Sequence, residues 1–236
     1  MKNRTTFYVG MALVLMLGLA ALAPASTVTV STPAGQMVGG QPVDATATVT
    51  TGAGTVTIAV DNNIVDPVAV IQNVSDLFLT LSGDAGTGSL TGSAGLERTV
   101  NSNGTFTDGS VVSTGWVLEN LAGPIYHLNG LGAAAFVPAH TIIGEPAGSG
   151  TYASANNSIA GNGPHNPFLA GTVTFDLAIA GVTADTTLTS FTFSFGTVAG
   201  NDVPVPTPGI PLPAAGWAGL SLLGLLGAMR WNRSRV

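Results

Sequence analysis

A period of two governs this chain. Val173, Phe175, Leu177 and Ile179 alternate with Thr174, Asp176 and Ala178, and Phe191, Phe193 and Phe195 alternate with Thr192 and Ser194. Successive side chains of a strand point to opposite faces, so this spacing gathers every Phe on one side of a sheet, whereas a helix would scatter them. Upstream, Val43, Ala45, Ala47 and Val49 alternate with polar residues. Gly52-Ala53-Gly54 follows, and Val56, Ile58 and Val60 alternate again, which predicts a hairpin with a glycine-rich turn. Further strands are expected over Leu77–Leu81, over Val111–Leu118 and near Tyr126. A loop is expected around Gly181–Asp185. Leu131–Val137 is the one apolar run without alternation; Pro138 closes it, and it reads as a loop or a single turn. Many short strands punctuated by Gly and Pro, with no fixed repeat, predict an all-β domain of β-sandwich or jelly-roll-like type.

Charge narrows the function classes. All twelve acidic residues lie between Asp44 and Asp202, and Arg98 is the one basic residue in that stretch. Such a body cannot neutralise a phosphate backbone, so nucleic acid is excluded as a partner. Anionic lipid and polysaccharide should repel it unless divalent cations bridge them. The chain has no cysteine, which removes thiol nucleophiles, thiolate metal sites and redox motifs.

Both ends look like addresses. Lys2 and Arg4 precede an apolar stretch from Phe7 to Leu22, and Ala23-Pro24-Ala25 is a small-x-small site. Residues 1–25 therefore read as a secretory signal peptide cleaved after Ala25. Residues 26–202 form the expected β-rich exported body. Residues 203–213 are proline-rich, with Pro204, Pro206, Pro208, Pro211 and Pro213, and should form a stiff spacer. The run 214–229 is uncharged and is expected to be one transmembrane helix. Trp217 and Trp231 flank it as interfacial aromatics. Residues 230–236 carry Arg230, Arg233 and Arg235, a basic cytoplasmic stop.

The tail resembles the sorting domain of the PEP-CTERM group, most closely its VPLPA variant. The resemblance rests on Ile210, Pro211, Leu212, Pro213, Ala214, Ala215, Gly216 and Trp217, followed by the apolar run and the arginines. Ile210 stands where the group usually has Val, and Trp231, Asn232 and Ser234 interrupt the basic end. The resemblance implies a Gram-negative host and an exosortase as processing partner. It also implies membrane attachment of the precursor through the C-terminal helix, with the body in the periplasm. Release to the cell surface or to an exopolysaccharide matrix would follow. Asn166–Phe175, Gly181–Asp185 and Phe193–Thr197 are similar to ectodomains carried by some of these proteins, which implies a β-rich surface domain without a known activity. A Gram-positive sortase signal fits less well, because Ala215 replaces the threonine of the LPxTG motif.

The body offers little chemistry. His127, His140 and His165 lack metal-ligand spacing and read as loop or surface histidines. No serine occupies a GxSxG elbow. Asp61-Asn62-Asn63-Ile64-Val65-Asp66 supplies oxygen donors without the EF-hand pattern, and Asp84 and Asp108 sit beside glycines as turn residues. Thr-x-Thr pairs such as Thr27/Thr29, Thr46/Thr48 and Thr55/Thr57 recur at irregular intervals, and Thr suits the outward face of a strand. No cofactor or enzymatic activity is expected. The leading expectation is a structural or adhesive surface protein. The alternative is a carbohydrate-binding β-sandwich, assisted by Ca²⁺ in one form, for which Trp116, Tyr126 and Tyr152 are the available aromatics.

Overall fold

The computed structural model describes residues 25–148, 150–198 and 200–207. The expected signal peptide up to residue 24, the expected sorting motif from Ile210 to Trp217, the apolar run and the three terminal arginines lie outside the described residues. Thirteen strands are described: β1 (Ser26–Ser31), β2 (Met37–Val38), β3 (Gln41–Pro42), β4 (Ala45–Gly52), β5 (Thr55–Asn62), β6 (Val74–Leu81), β7 (Gly88–Val100), β8 (Phe106–Val112), β9 (Val117–Asn120), β10 (Ile125–Asn129), β11 (Phe168–Ile179), β12 (Leu188–Phe195) and β13 (Asp202–Val205). One 3-10 turn spans Val70–Gln72. Among the described residues there is no α-helix, and no helix is long and apolar enough to cross a membrane.

The fold is all-β, as the alternation predicts. A six-stranded sheet runs β1-β4-β5-β11-β7-β8 and a five-stranded sheet runs β13-β12-β6-β10-β9, with β2 and β3 as a small separate pair. Every named pairing within them is antiparallel. Val49, Ile58, Val60, Phe175 and Leu177 of the first sheet share one core with Leu77, Leu79, Leu128, Phe191 and Phe193 of the second. This arrangement is consistent with a β-sandwich. Fully burying one such Leu, Ile or Phe contributes roughly 1.5–3 kcal/mol, so the shared core dominates the stability. Phe191, Phe193 and Phe195 are all fully buried, with the first two rings edge to face at 4.9 Å.

Four local expectations need correction. Val111–Leu118 is two strands, β8 and β9, because Gly115 at φ +73° turns the chain where a Cβ would lie 2.2 Å from the Phe136 ring. The proline-rich segment does not leave the body at Val203: β13 pairs with β12 through Val205, and Val203 and Val205 are buried. An edge strand tolerates Pro204 because only one of its sides needs backbone donors. Asp108 is a strand residue in β8 rather than a turn residue, held there by Arg98. His127 is a strand residue of β10, while His140 and His165 lie in the connection between β10 and β11, as expected of loop histidines.

A second, smaller cluster lies on the far side of β11. Phe168 and Ala170 alternate with Leu169, so they point away from the shared core. They pack with Val70, Val100, Ile143, Tyr152 and Ile159. The segment 139–167, the later part of the connection from β10 to β11, has no named strand among its described residues and roofs this end of the six-stranded sheet.

Candidate functional site

The five-stranded sheet carries a cleft on its outer face. Strand register sets Glu119, His127 and Phe78 side by side on β9, β10 and β6, and sets Asn129, Asp76, Ser194 and Asp202 side by side in the next row. The loop that leaves β10 turns back over the second row. Asp76 Oδ1 accepts the backbone N–H of Gly130 at 2.8 Å and of Leu131 at 3.2 Å, which fixes where the loop starts. A cavity of about 410 Å³ results, floored by Asp76, Phe78, His127 and Asn129 and walled by Leu131 and Val137 on one side and Asp202 on the other. Ser194 donates its hydroxyl to Asp202.

His127 is the centre of this surface. Its Nδ1 lies 2.9 Å from Glu119 Oε2, and its ring stacks on Phe78 at 3.9 Å and 7°. Burial alone would lower its pKa, but Asp76 and Glu119 outweigh it, so the pKa sits above its ordinary value. Hydrogen bonds from Asn129 and then His127 hold the Glu119 carboxyl below the usual carboxylate range.

The other charged sites fasten segments together. Arg98 is buried, and Asp108 grips it with two bonds of 2.6 and 3.0 Å. Its Nη1 donates to Glu145 at 2.7 Å and to the Tyr152 hydroxyl at 3.1 Å, and its guanidinium lies 4.2 Å over the Phe106 ring. Burial would lower the Arg98 pKa, yet the bonds from Asp108, Glu145 and Tyr152 raise it. Burial pushes Tyr152 up to about 12, and its hydroxyl donates to the Gly144 carbonyl at 2.9 Å. Arg98 thus ties β7 and β8 to the roof segment. His140 is fully buried at φ +60°; its Nδ1 donates to the Thr114 carbonyl at 2.8 Å and its Nε2 meets Glu97 at 3.1 Å. His165 Nδ1 donates to the Ser158 carbonyl at 2.6 Å. Both groups are therefore held in place, which loop position alone did not suggest.

The Asp61–Asp66 stretch disperses its oxygens. Asp61 accepts from Thr172, Asn63 donates to Asp44 and Thr46, and Asp66 accepts the N–H and O–H of Ser154. Asn62 is buried and donates to the carbonyls of Gln72 and Ile142. Among the described residues, no group of three or more His, Asp or Glu side chains is placed to hold a metal ion. Asp84 does cap a turn, accepting from Gly86 N–H.

The aromatic residues that a sugar-binding face would need are inside. Trp116 is 4%, Tyr126 0% and Tyr152 1% exposed. Trp116 donates its indole N–H to the His140 carbonyl and leans on Phe175 at 5.0 Å. Tyr126 donates to the Gly86 carbonyl at 2.6 Å. Of the expected processing residues, Ala25 alone is described, exposed and one residue ahead of β1. The arrangement offers fixed polar fasteners and a shallow acidic cleft. Compared with known protein families, curated proteins and solved structures, the chain finds no match.

Proposed function

We propose that this chain is an exported protein of a Gram-negative cell envelope or extracellular matrix, structural or adhesive, and sorted by an exosortase. The observation that supports this reading best is the charge of the body. Its one guanidinium is buried between two carboxylates, so its exposed surface is acidic and free of Lys and Arg. Such a surface stays soluble at high density and shuns nucleic acid. Ala25 suits signal cleavage, since a cut after it leaves β1 intact from Ser26. Ile210 to Trp217 serve as the sorting motif, the apolar run as the membrane helix of the precursor, and Arg230, Arg233 and Arg235 as its cytoplasmic stop. The two facing sheets are read as a β-sandwich rather than a jelly roll, because the sequence neighbours β4 with β5, β7 with β8 and β9 with β10 pair directly.

The carbohydrate-binding alternative is the weaker one. It asks for exposed aromatic rings, and Trp116, Tyr126 and Tyr152 are buried. Its Ca²⁺-assisted form asks for converging oxygens, and the Asp61–Asp66 carboxylates diverge. Mass spectrometry of the C-terminal peptide tests the proposal. Protein released by a host with an exosortase should lack the Arg230–Arg235 end, and a host without one should retain it in the inner membrane. Secreted protein from the native host that still ends in Val236 would sink the sorting reading.

A further inference from the structure

His127 faces acceptors at both ends of its ring. Nδ1 lies 2.9 Å from Glu119 Oε2 on β9, and Nε2 lies 3.8 Å from Asp76 Oδ1 on β6. The side chain is 13% exposed, and Nε2 is buried with no hydrogen-bond partner. A neutral imidazole has one N–H. Placed on Nδ1, it serves Glu119 and leaves the buried Nε2 lone pair turned toward a carboxylate. Placed on Nε2, it sets a lone pair against Glu119 at 2.9 Å, which is worse. Only the imidazolium presents a proton to each carboxylate. At 3.8 Å the Asp76 contact is too long for a hydrogen bond and acts through charge.

The two carboxylates hold more than the ring. Asp76 Oδ1 also accepts the N–H groups that start the loop 130–138, and Glu119 Oε1 accepts Asn129 Nδ2 at 3.0 Å. Strand β9 has four residues, lies at the edge of its sheet and pairs only with β10. Asn129 also links β10 to β9, and Asn120 of β9 exchanges two bonds with Gly88 of β7, but His127 is the side chain that lies against carboxylates of both β9 and β6. From β13, Asp202 is the remaining charged group lining the cleft, and β12 contributes Ser194, which does not titrate here.

We propose that His127 is a proton-dependent clasp: as imidazolium it ties edge strand β9 to central strand β6 and steadies the Asp76 carboxylate that receives the N–H groups of loop 130–138, and on losing its proton it loosens both. The loop carries Leu131 and Val137, one wall of the cleft, so release widens the cleft. The device operates whatever the cleft takes and does not depend on the sorting reading. Because the folded ring holds its proton more tightly than an unfolded histidine, the clasp is fully closed below about pH 6.5 and is lost as pH rises through the folded pKa.

The test uses the full-length protein in detergent micelles from about pH 6 to about pH 9. Nitrogen NMR of the imidazoles reads the protonation of His127, and hydrogen exchange, corrected for its intrinsic pH dependence, reads residues 117–138. Exchange there should rise several-fold as His127 deprotonates, while the β4–β5 hairpin stays unchanged. His127→Gln should remove this pH dependence, with His140 and His165 left in place. Glu119→Gln keeps the ring and removes one carboxylate, so the midpoint should fall by about one pH unit, a tenfold weaker hold on the proton. A His127 ring already neutral at about pH 6, an unchanged midpoint in Glu119→Gln, or the same exchange profile in wild type and His127→Gln would each overturn the clasp.

Discussion

The outer face of the six-stranded sheet is two surfaces joined at β11. Across β1, β4 and β5 it is bare and hydroxylic: Thr27 meets Thr50 at 3.0 Å, Thr29 meets Thr48 at 3.2 Å and Ser31 meets Thr46 at 3.2 Å. Where β11 begins and β7 ends it is apolar and covered, with Phe168, Ala170 and Val100 sealed under the segment 139–167, whereas Thr172 and Asp176 farther along β11 and most of β8 stay exposed. The same antiparallel sheet supports both. What differs is the outward residue: Thr and Ser across β1 and β4, and Phe168, Ala170, Arg98 and Val100 at the covered end of β11 and β7. Small hydroxyls satisfy one another across strands and need no roof. Phe168 cannot be left in water cheaply, so a long connection without strands folds back over it. One half is a finished surface and the other is a second core.

Phe168→Ala is the severest test of that distinction. If the covered half is a true core, the variant should lose roughly 3–5 kcal/mol in denaturant unfolding, the same range as Phe193→Ala between the sheets. Both rings are fully buried. A loss under about 0.5 kcal/mol at Phe168, with Phe193→Ala costly, would mean that the roof is merely draped over the sheet.

The two halves also differ in how far the sequence announces them. The alternation of β4, β5, β11 and β12 is plain, because Ala45, Ala47 and Val49, Val56, Ile58 and Val60, Val173, Phe175, Leu177 and Ile179, and Phe191, Phe193 and Phe195 are buried two residues apart. Strand β7 escapes this reading. Gly88 and Gly95 stand where an alternating side chain would be expected, since a Cβ there would come within 2.9 Å of Ile179 and 3.0 Å of Leu169. Glycine admits those neighbours and erases the pattern. The roof segment is harder still. Tyr152, Ile143 and Ile159 follow no period, and their burial depends on Phe168 and Arg98, which are distant in sequence. The threonine pairs were visible, but their irregular intervals hid that antiparallel pairing sets Thr27 beside Thr50 and Thr29 beside Thr48. For the cleft, His127 and Asp76 could be seen as residue types, and only the register of β6, β9 and β10 brings them together.

Arg98→Met sharpens the comparison at the next level down. Arg98 is the polar fastener of the covered half, reaching Asp108, Glu145 and Tyr152 at once. Removing one partner of a fully buried pair costs ~3–5 kcal/mol. Here Asp108 and Glu145 side chains are 37% and 53% exposed and rehydrate when released. Methionine also keeps the apolar stem against Phe106. The expected loss is therefore about 2 kcal/mol, confined to the roof. Limited proteolysis should show new cuts within residues 145–165, with the β4–β5 hairpin still protected. Cuts spread evenly over the chain would show that the roof and the sandwich unfold as one unit.

Thr48→Val addresses the bare half and should do least. Valine keeps the branched shape that suits a strand and deletes one hydroxyl. Thr29 then loses a partner at 3.2 Å, but it is exposed, so water replaces the bond. The neighbouring pairs, Thr27 with Thr50 and Ser31 with Thr46, do not involve Thr48 and stay intact. The change in unfolding free energy should stay within about 0.5 kcal/mol, as at an unburdened surface site. A loss above about 1 kcal/mol would mean that the hydroxyl rows act together as a network rather than as separate pairs, and the two halves of the face would then differ in chemistry without differing in structural weight.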